Sequence, residues 1–159
     1  MKGSDLLVKC LENEGVEYIF GIPGEETLDL MESISKSSIE FVLTRHEQGA
    51  AFMANVYGRL AGKPGVCLAT LGPGATNLIT GVADAQLDRV PLVAITGQAP
   101  LEAVHKESHQ YIDVVQTFKF VTEWNRTITK ASFIPEMIRK AFKISAAAPG
   151  ATHLELPED

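Results

Sequence analysis

Glu47 follows Thr44-Arg45-His46 at the end of an apolar run, Ile39-Glu40-Phe41-Val42-Leu43, and opens a helical stretch from Gln48 to Ala61. The run has the length and the β-branched and aromatic content of a strand. A carboxylate at the carboxyl end of a parallel strand lies where open α/β sheets seat their ligands, and the chemistry open to it there is proton exchange or hydrogen bonding with the ligand. The same four residues also spell a capping box, S/T-x-x-E. In that reading Glu47 reaches back to the backbone N–H of Thr44 and only starts the helix, a place that the helix dipole also suits. Both readings stand at this point.

Two glycine-containing loops could cooperate with Glu47. Gly72-Pro73-Gly74-Ala75-Thr76-Asn77 stands between a buried strand and a helix, where backbone N–H groups and the helix start can receive a polar or anionic ligand. Its first two glycines fit Gly-x-Gly-x-x-Gly, but Asn77 fills the third place, so it is not a dinucleotide fingerprint. Without Gly-Lys-Ser/Thr there is no P-loop either. A tight turn in which Thr76 or Asn77 assists the helix start is the plain alternative. Gly21-Ile22-Pro23-Gly24 offers the same choice, since Pro23 fixes its own φ and glycine allows close backbone approach. The set is the stronger signal: Pro23-Gly24, Glu47 and Gly72 to Asn77 all fall at strand carboxyl ends and can face one edge of a sheet.

Other chemistries find little to work with. His46, His105, His109 and His153 lack helical or turn spacing for a metal, so solvated or hydrogen-bonded roles are expected, with His46 placed to orient Glu47. No Gly-x-Ser-x-Gly elbow is present, and neither cysteine has a base near it in sequence. Cys10 and Cys67 stand alone within apolar segments, which points to buried, reduced thiols and a cytoplasmic protein. Phe118, Phe120 and Trp124 are expected in the core or an interface.

The elements that must position these residues read clearly. With 159 residues, 45% hydrophobic and 21% charged, the chain suits one globular domain with a substantial core. A net charge of -6 gives no overall basic character for nucleic acid. Asp5 and Lys9 interrupt any signal-peptide core, and no apolar stretch reaches the length of a membrane span. Ser4 is expected to cap a first helix bearing Leu7, Val8 and Leu11 and ending at Gly15. A strand Tyr18-Ile19-Phe20 follows, then a helix from Glu25 to Ser35 with Leu28, Met31 and Ile34 on one face. Strand–helix alternation continues with strands at 39–43, 66–71 and 92–96 and helices at 47–61 and 75–86, the all-apolar runs at 66–69 and 92–95 being central. A polar stretch from Gly97 to Asp113 is long for a connection and has the character of a functional loop. Beyond it come a short helix near Val114 to Phe118, a strand near Phe120 to Trp124, a helix from Pro135 to Ala147 and a strand from Thr152 to Leu156. The pattern predicts an α/β domain of three layers, αβα, with a largely parallel sheet and helices on both faces.

Together Phe20-Gly21-Ile22-Pro23-Gly24, the segment Arg45-His46-Glu47-Gln48-Gly49-Ala50-Ala51-Phe52-Met53-Ala54, Gly72 to Asn77, and Asp88-Arg89-Val90-Pro91 through Gly97-Gln98 resemble the aminopyrimidine-binding domain of thiamine diphosphate enzymes, and within them that of the acetolactate synthase large catalytic subunit. The resemblance covers essentially the whole chain in order and spacing. It implies that Glu47 hydrogen-bonds N1′ of the cofactor's aminopyrimidine and favours the 4′-imino tautomer, whose nitrogen takes the proton from thiazolium C2. Decarboxylation of pyruvate and addition of the resulting enamine to a second 2-keto acid would follow, the carbon chemistry being the cofactor's. Pro23, Gly24, Thr70, Gly72, Pro73 and Asn77 would hold the pyrimidine by backbone contact and packing. Gln110, in a segment resembling the family's Phe-Gln-Glu element, would face the active site with Gly24.

The chain also departs from the family pattern. Glu25 stands where many biosynthetic acetolactate synthases have a second glycine, His109 and Tyr111 flank Gln110 in place of Phe and Glu, and Ala148 replaces an Arg associated with contact to FAD, a further cofactor of the family. No Gly-Asp-Gly element with a downstream Asn, which in the family holds Mg2+ and the cofactor diphosphate, occurs in the sequence, and Leu156-Pro157-Glu158-Asp159 falls about where a central domain would begin. The expectation is a single pyrimidine-binding domain at residues 1–159, the amino-terminal part of a longer enzyme and inactive by itself. The cofactor would lie against the diphosphate-binding domain of a second subunit, in a homodimer or larger assembly. The alternatives are another 2-keto acid decarboxylase or oxidase, or a non-catalytic subunit that docks onto a separate diphosphate-binding chain.

Overall fold

The computed structural model describes residues 2–104, 106 and 108–158, so His105 in the polar stretch and Asp159 at the exit lie outside the described residues. In chain order the elements are α1 (Gly3–Asn13), β1 (Tyr18–Gly21), α2 (Leu28–Ser35), β2 (Glu40–Leu43), α3 (Glu47–Ala61), β3 (Gly65–Ala69), α4 (Gly72–Leu87), β4 (Leu92–Gln98), α5 (Val114–Phe118), β5 (Trp124–Thr127), α6 (Ile134–Ala147) and β6 (Ala151–Pro157). The strands form one sheet, parallel at every pairing, in the order β2-β1-β3-β4-β6-β5. From β1 the chain steps to β2 on one side and returns to β3 on the other. The gap between the carboxyl ends of β1 and β3 is therefore a topological switch point, where α/β sheets leave a crevice.

Both faces are covered. Alternate residues of a strand point to opposite faces, and on one face Ile19, Val66, Leu68, Val93, Ile95 and Leu154 pack with Leu7 and Leu11 of α1, Leu30 of α2 and Ile138 of α6. On the other face the sheet presents smaller groups, Cys67, Ala69 and Ala94, against Ala50, Ala51 and Ala54 of α3, Ala75 and Leu78 of α4, and Phe118 of α5. The small residues let α3 and α4 approach each other closely. A Cβ added at Gly81 of α4 would sit 2.6 Å from Cβ of Ala51 on α3. Gly81→Ala is therefore expected to lower the unfolding free energy by about 2 kcal/mol through overpacking, measured by denaturant titration. The outward side of α3 leaves Met53, Val56 and Leu60 exposed.

Several local expectations are corrected. Lys2, not Ser4, precedes α1; Ser4 lies inside the helix and its hydroxyl oxygen accepts from Ser33. The helix expected from Glu25 begins as a 3-10 turn, Glu25–Thr27, and α2 buries Leu30 and Ile34 while Leu28 is 63% exposed. The strand expected near Phe120 lies at Trp124–Thr127, because pairing with β6 sets its register, and Phe120 is 88% exposed, outside any core. Phe118 is fully buried. Gly72-Pro73-Gly74 is not a loop before a helix but the first turn of α4, with Pro73 where no intrahelical N–H donor is needed.

Candidate functional site

The capping-box reading of Glu47 fails on three hydrogen bonds. The Thr44 N–H donates to the Gly21 carbonyl at 3.0 Å, as a continuation of the β1–β2 ladder, so it is not available to Glu47. His46 is the residue before the helix, and its Nδ1 accepts from the Gln48 N–H at 3.1 Å. Glu47 Oε2 instead accepts from Asn77 Nδ2 at 3.0 Å, from the neighbouring helix α4. His46 thus starts α3 and leaves the carboxylate to point across to α4. Asn77 and Thr76 do not assist the start of α4: Thr76 Oγ1 donates to the Pro73 carbonyl at 3.0 Å, and Asn77 serves Glu47.

The expected residues gather at the switch point. Gly24, after β1, and Gly74, in the first turn of α4, both face Thr70 at the end of β3. A Cβ added at Gly24 would lie 2.4 Å from Cβ and Oγ1 of Thr70, and one at Gly74 would lie 2.7 Å from its Cγ2 and 3.5 Å from Glu47 Oε1. The ends of β1 and β3 and the first turn of α4 thereby close in around Thr70. Gly72 adopts φ +52°, open to glycine at little cost, and a Cβ there would lie 2.2 Å from the Gln110 carbonyl oxygen. Gln110, itself at φ 55°, is thus packed by its backbone on Gly72. Pro23 and Pro73 are exposed at the rim.

Three supports were not visible in the sequence. Thr70 Oγ1 donates to Glu26 Oε2 at 2.5 Å. Gln98 Nε2 donates both to the Ile112 carbonyl at 3.1 Å and to Glu155 Oε1 at 2.8 Å, which ties the segment carrying Gln110 to β4 and β6. Thr127 completes the clamp on Glu155, whose carboxyl is pushed above the usual range by burial. Sequence separation hides all three: the β1–β3 pairing brings Thr70 to Glu26, and the order β4-β6-β5 makes Gln98, Glu155 and Thr127 neighbours. Of the histidines, His153 is fully buried, with Nε2 2.9 Å from Thr96 Oγ1 and its ring stacked on Phe118. Among the described residues no cluster of three or more His, Cys, Asp or Glu is placed to hold a metal ion. Cys67 is buried and its thiol is pushed up to about 12 by desolvation, and Cys10 is half-buried, so neither is an activated nucleophile.

This arrangement can do one thing well. One oxygen of Glu47 is anchored by an amide donor, while the other lies beside Gly74, 3.5 Å from a Cβ added there, and has no hydrogen-bond partner among the described residues. A carboxylate so held presents an acceptor to a flat, nitrogen-bearing ring without having to reorganise. The residues present therefore fit an aminopyrimidine.

A family model described as thiamine pyrophosphate enzyme, N-terminal TPP binding domain, matches residues 1–117. The chain belongs to this family. Among curated proteins, it is 44% identical over 160 residues to a Methanocaldococcus jannaschii protein named "Probable acetolactate synthase large subunit", a match covering 100% of this chain and 27% of that protein. It is 43% identical to acetolactate synthase 3, chloroplastic, of Brassica napus and 44% identical to acetolactate synthase, chloroplastic, of Arabidopsis thaliana, each match covering 99% of this chain and 24% of the relative. The chain thus spans about a quarter of the length of these relatives. Among the described residues no helix is long and apolar enough to cross a membrane.

Proposed function

We propose that the crevice between β1 and β3 seats the aminopyrimidine of thiamine diphosphate. We further propose that the protein of which residues 1–159 form the amino-terminal domain decarboxylates pyruvate and joins the remaining two-carbon unit to a second 2-keto acid, as an acetolactate synthase does. The observation that carries the site is the Glu47 carboxylate, held on Oε2 by Asn77 and open on Oε1 toward Gly74. Bound thiamine diphosphate supplies the carbon nucleophile and the electron sink for decarboxylation. The chain's own residues prepare the place: Glu47 offers Oε1 to a ring nitrogen, sharing or moving the proton there, while Asn77 prevents the carboxylate from rotating. Gly24, Gly72 and Pro73 keep backbone rather than side chain against the ring, Pro23 closes the rim, and Thr70 supplies a methyl-sized floor. Gln110, whose backbone packs on Gly72, would face the substrate.

The names of the relatives support the acetolactate synthase reading over a simple decarboxylase or oxidase. The diphosphate and its Mg2+ would be held by the corresponding domain of a second subunit, making a homodimer or larger assembly, with FAD as a further cofactor and the cytoplasm as its place. Full-length protein supplied with thiamine diphosphate, Mg2+ and pyruvate is expected to release acetolactate. Acetaldehyde or acetyl phosphate in its place would assign the decarboxylase or oxidase alternative. The visible absorbance of the purified protein tests for FAD.

A further inference from the structure

Thr70 is branched at Cβ, and its two arms meet different neighbours. Oγ1 lies against Gly24 and donates to Glu26 Oε2 at 2.5 Å, while Cγ2 lies between the two glycines, 3.0 Å from a Cβ placed at Gly24 and 2.7 Å from one placed at Gly74. The point at Gly74 is 3.5 Å from Glu47 Oε1. A turn of one staggered step about χ1 would carry the hydroxyl into the place now held by Cγ2, on the Gly74 side, and the methyl into that of the β-hydrogen, so that the hydroxyl becomes a donor toward the free oxygen of Glu47. Threonine in extended backbone has more than one staggered well open to it, so the observed one has to be held. Glu26 is placed to hold it. The hydrogen bond has the length of a charge-assisted O–H···O pair. Glu26 Cβ packs 3.2 Å from a Cβ added at Gly97, near the end of β4. The next residue, Thr27, is buried and locks the turn by accepting from the Gly24 N–H at 2.9 Å and donating to the Gly24 carbonyl at 3.0 Å.

We propose that Glu26 is a positioning residue of this site, its carboxylate keeping the Thr70 hydroxyl turned away from Glu47 so that a methyl faces Gly74 and Oε1 stays open to a ring nitrogen. The role in cofactor binding rests on the thiamine diphosphate reading of the crevice; the rotamer itself does not.

Two measurements separate these. In the present chain, three-bond couplings to the Thr70 methyl carbon report χ1: one rotamer is expected in the wild type and in Glu26→Gln, whose amide can still bond the hydroxyl, and averaging in Glu26→Ala. A single unchanged rotamer in Glu26→Ala would overturn the proposal whatever the protein binds. In full-length protein with Mg2+, Glu26→Ala is expected to weaken thiamine diphosphate binding roughly tenfold, with Glu26→Gln recovering most of it. When Thr70→Val is already present there is no hydroxyl to hold, so Glu26→Ala should add no further loss. A loss that persists in the valine background would show that Glu26 acts by another route and would also overturn the proposal. Wild-type protein that bound no thiamine diphosphate would instead overturn the reading of the crevice, and the cofactor role of Glu26 with it.

Discussion

Glu47→Gln in full-length protein is expected to lower turnover with pyruvate by about a hundredfold or more, the scale of a lost acid–base group, while leaving the fold intact. The substitution is nearly isosteric, and the geometry says why it still fails. Asn77 Nδ2 presents a donor to Oε2, so the new amide must turn its oxygen to Asn77 and place its NH2 where Oε1 was. The amide N–H can then donate to the lone pair of the ring nitrogen in its amino form, but it can neither give that nitrogen a proton nor accept from it once protonated, so the imino form loses its partner. Stability should change by no more than about 0.5 kcal/mol, because His46 and not Glu47 caps α3. Steady-state kinetics together with a thermal melt checks both halves. Unchanged turnover would remove Glu47 from the chemistry.

Acid should unfold this domain in a window set largely by His153. In the unfolded chain the imidazole titrates near 6.5; in the fold, burial pushes it down to about 3. Above the first value neither state carries the proton and the histidine imposes no cost. As the pH falls between the two, the unfolded chain takes up a proton that the folded one refuses. Stability is lost through that interval, up to on the order of 5 kcal/mol, and below it no more is lost to this group. The surroundings offer no relief: Thr96 meets Nε2, Phe118 stacks on the ring, and Nδ1 has no hydrogen-bond partner among the described residues. Glu155, raised by burial, works in the opposite sense, since the folded state takes its proton first and gains stability as the pH falls toward 4.5. Its burial is less complete than that of His153, so it offsets only part of the loss. Denaturant titrations from pH 7 to pH 4 should show a steep fall in the wild type and a shallower one in His153→Leu. Equal slopes in the two proteins would refute the assignment to His153.

What could be read from the chain follows from how local each signal is. Leu7, Val8 and Leu11 recur at helical spacing, and all three are buried in α1. The unbroken apolar runs at 66–69 and 92–95 lie in β3 and β4, the two middle strands. The glycine turns and Glu47 were visible because strand ends are marked by their own residues. Glu47 nevertheless carried two readings, since Thr44-x-x-Glu47 is a true capping pattern. Tertiary structure removes one of them: the parallel β1–β2 pairing occupies the Thr44 N–H, and Asn77 of α4 engages the carboxylate. Glu26, Gln98 and Glu155 left no trace because their partners are set by strand order. Phe120, expected in the core or an interface, lies outside the core because the chain there turns outward before β5 begins at Trp124.

The place of β6 bears on how the domain comes to be made. This strand is the last of the six in sequence, yet it lies inside the sheet, paired with β4 on one side and β5 on the other. While the chain emerges from the ribosome, residues 92–98 have one ready neighbour and one bare edge, and residues 124–127 have none, until residues 151–157 arrive between them. The edge left bare belongs to a strand whose every residue is buried in the finished domain. Such an edge is a template for pairing with any other chain at hand. The nascent domain is thus at its most vulnerable to association during the synthesis of its last sixty residues or so, and sheet closure waits on the distant contact that is slowest to form.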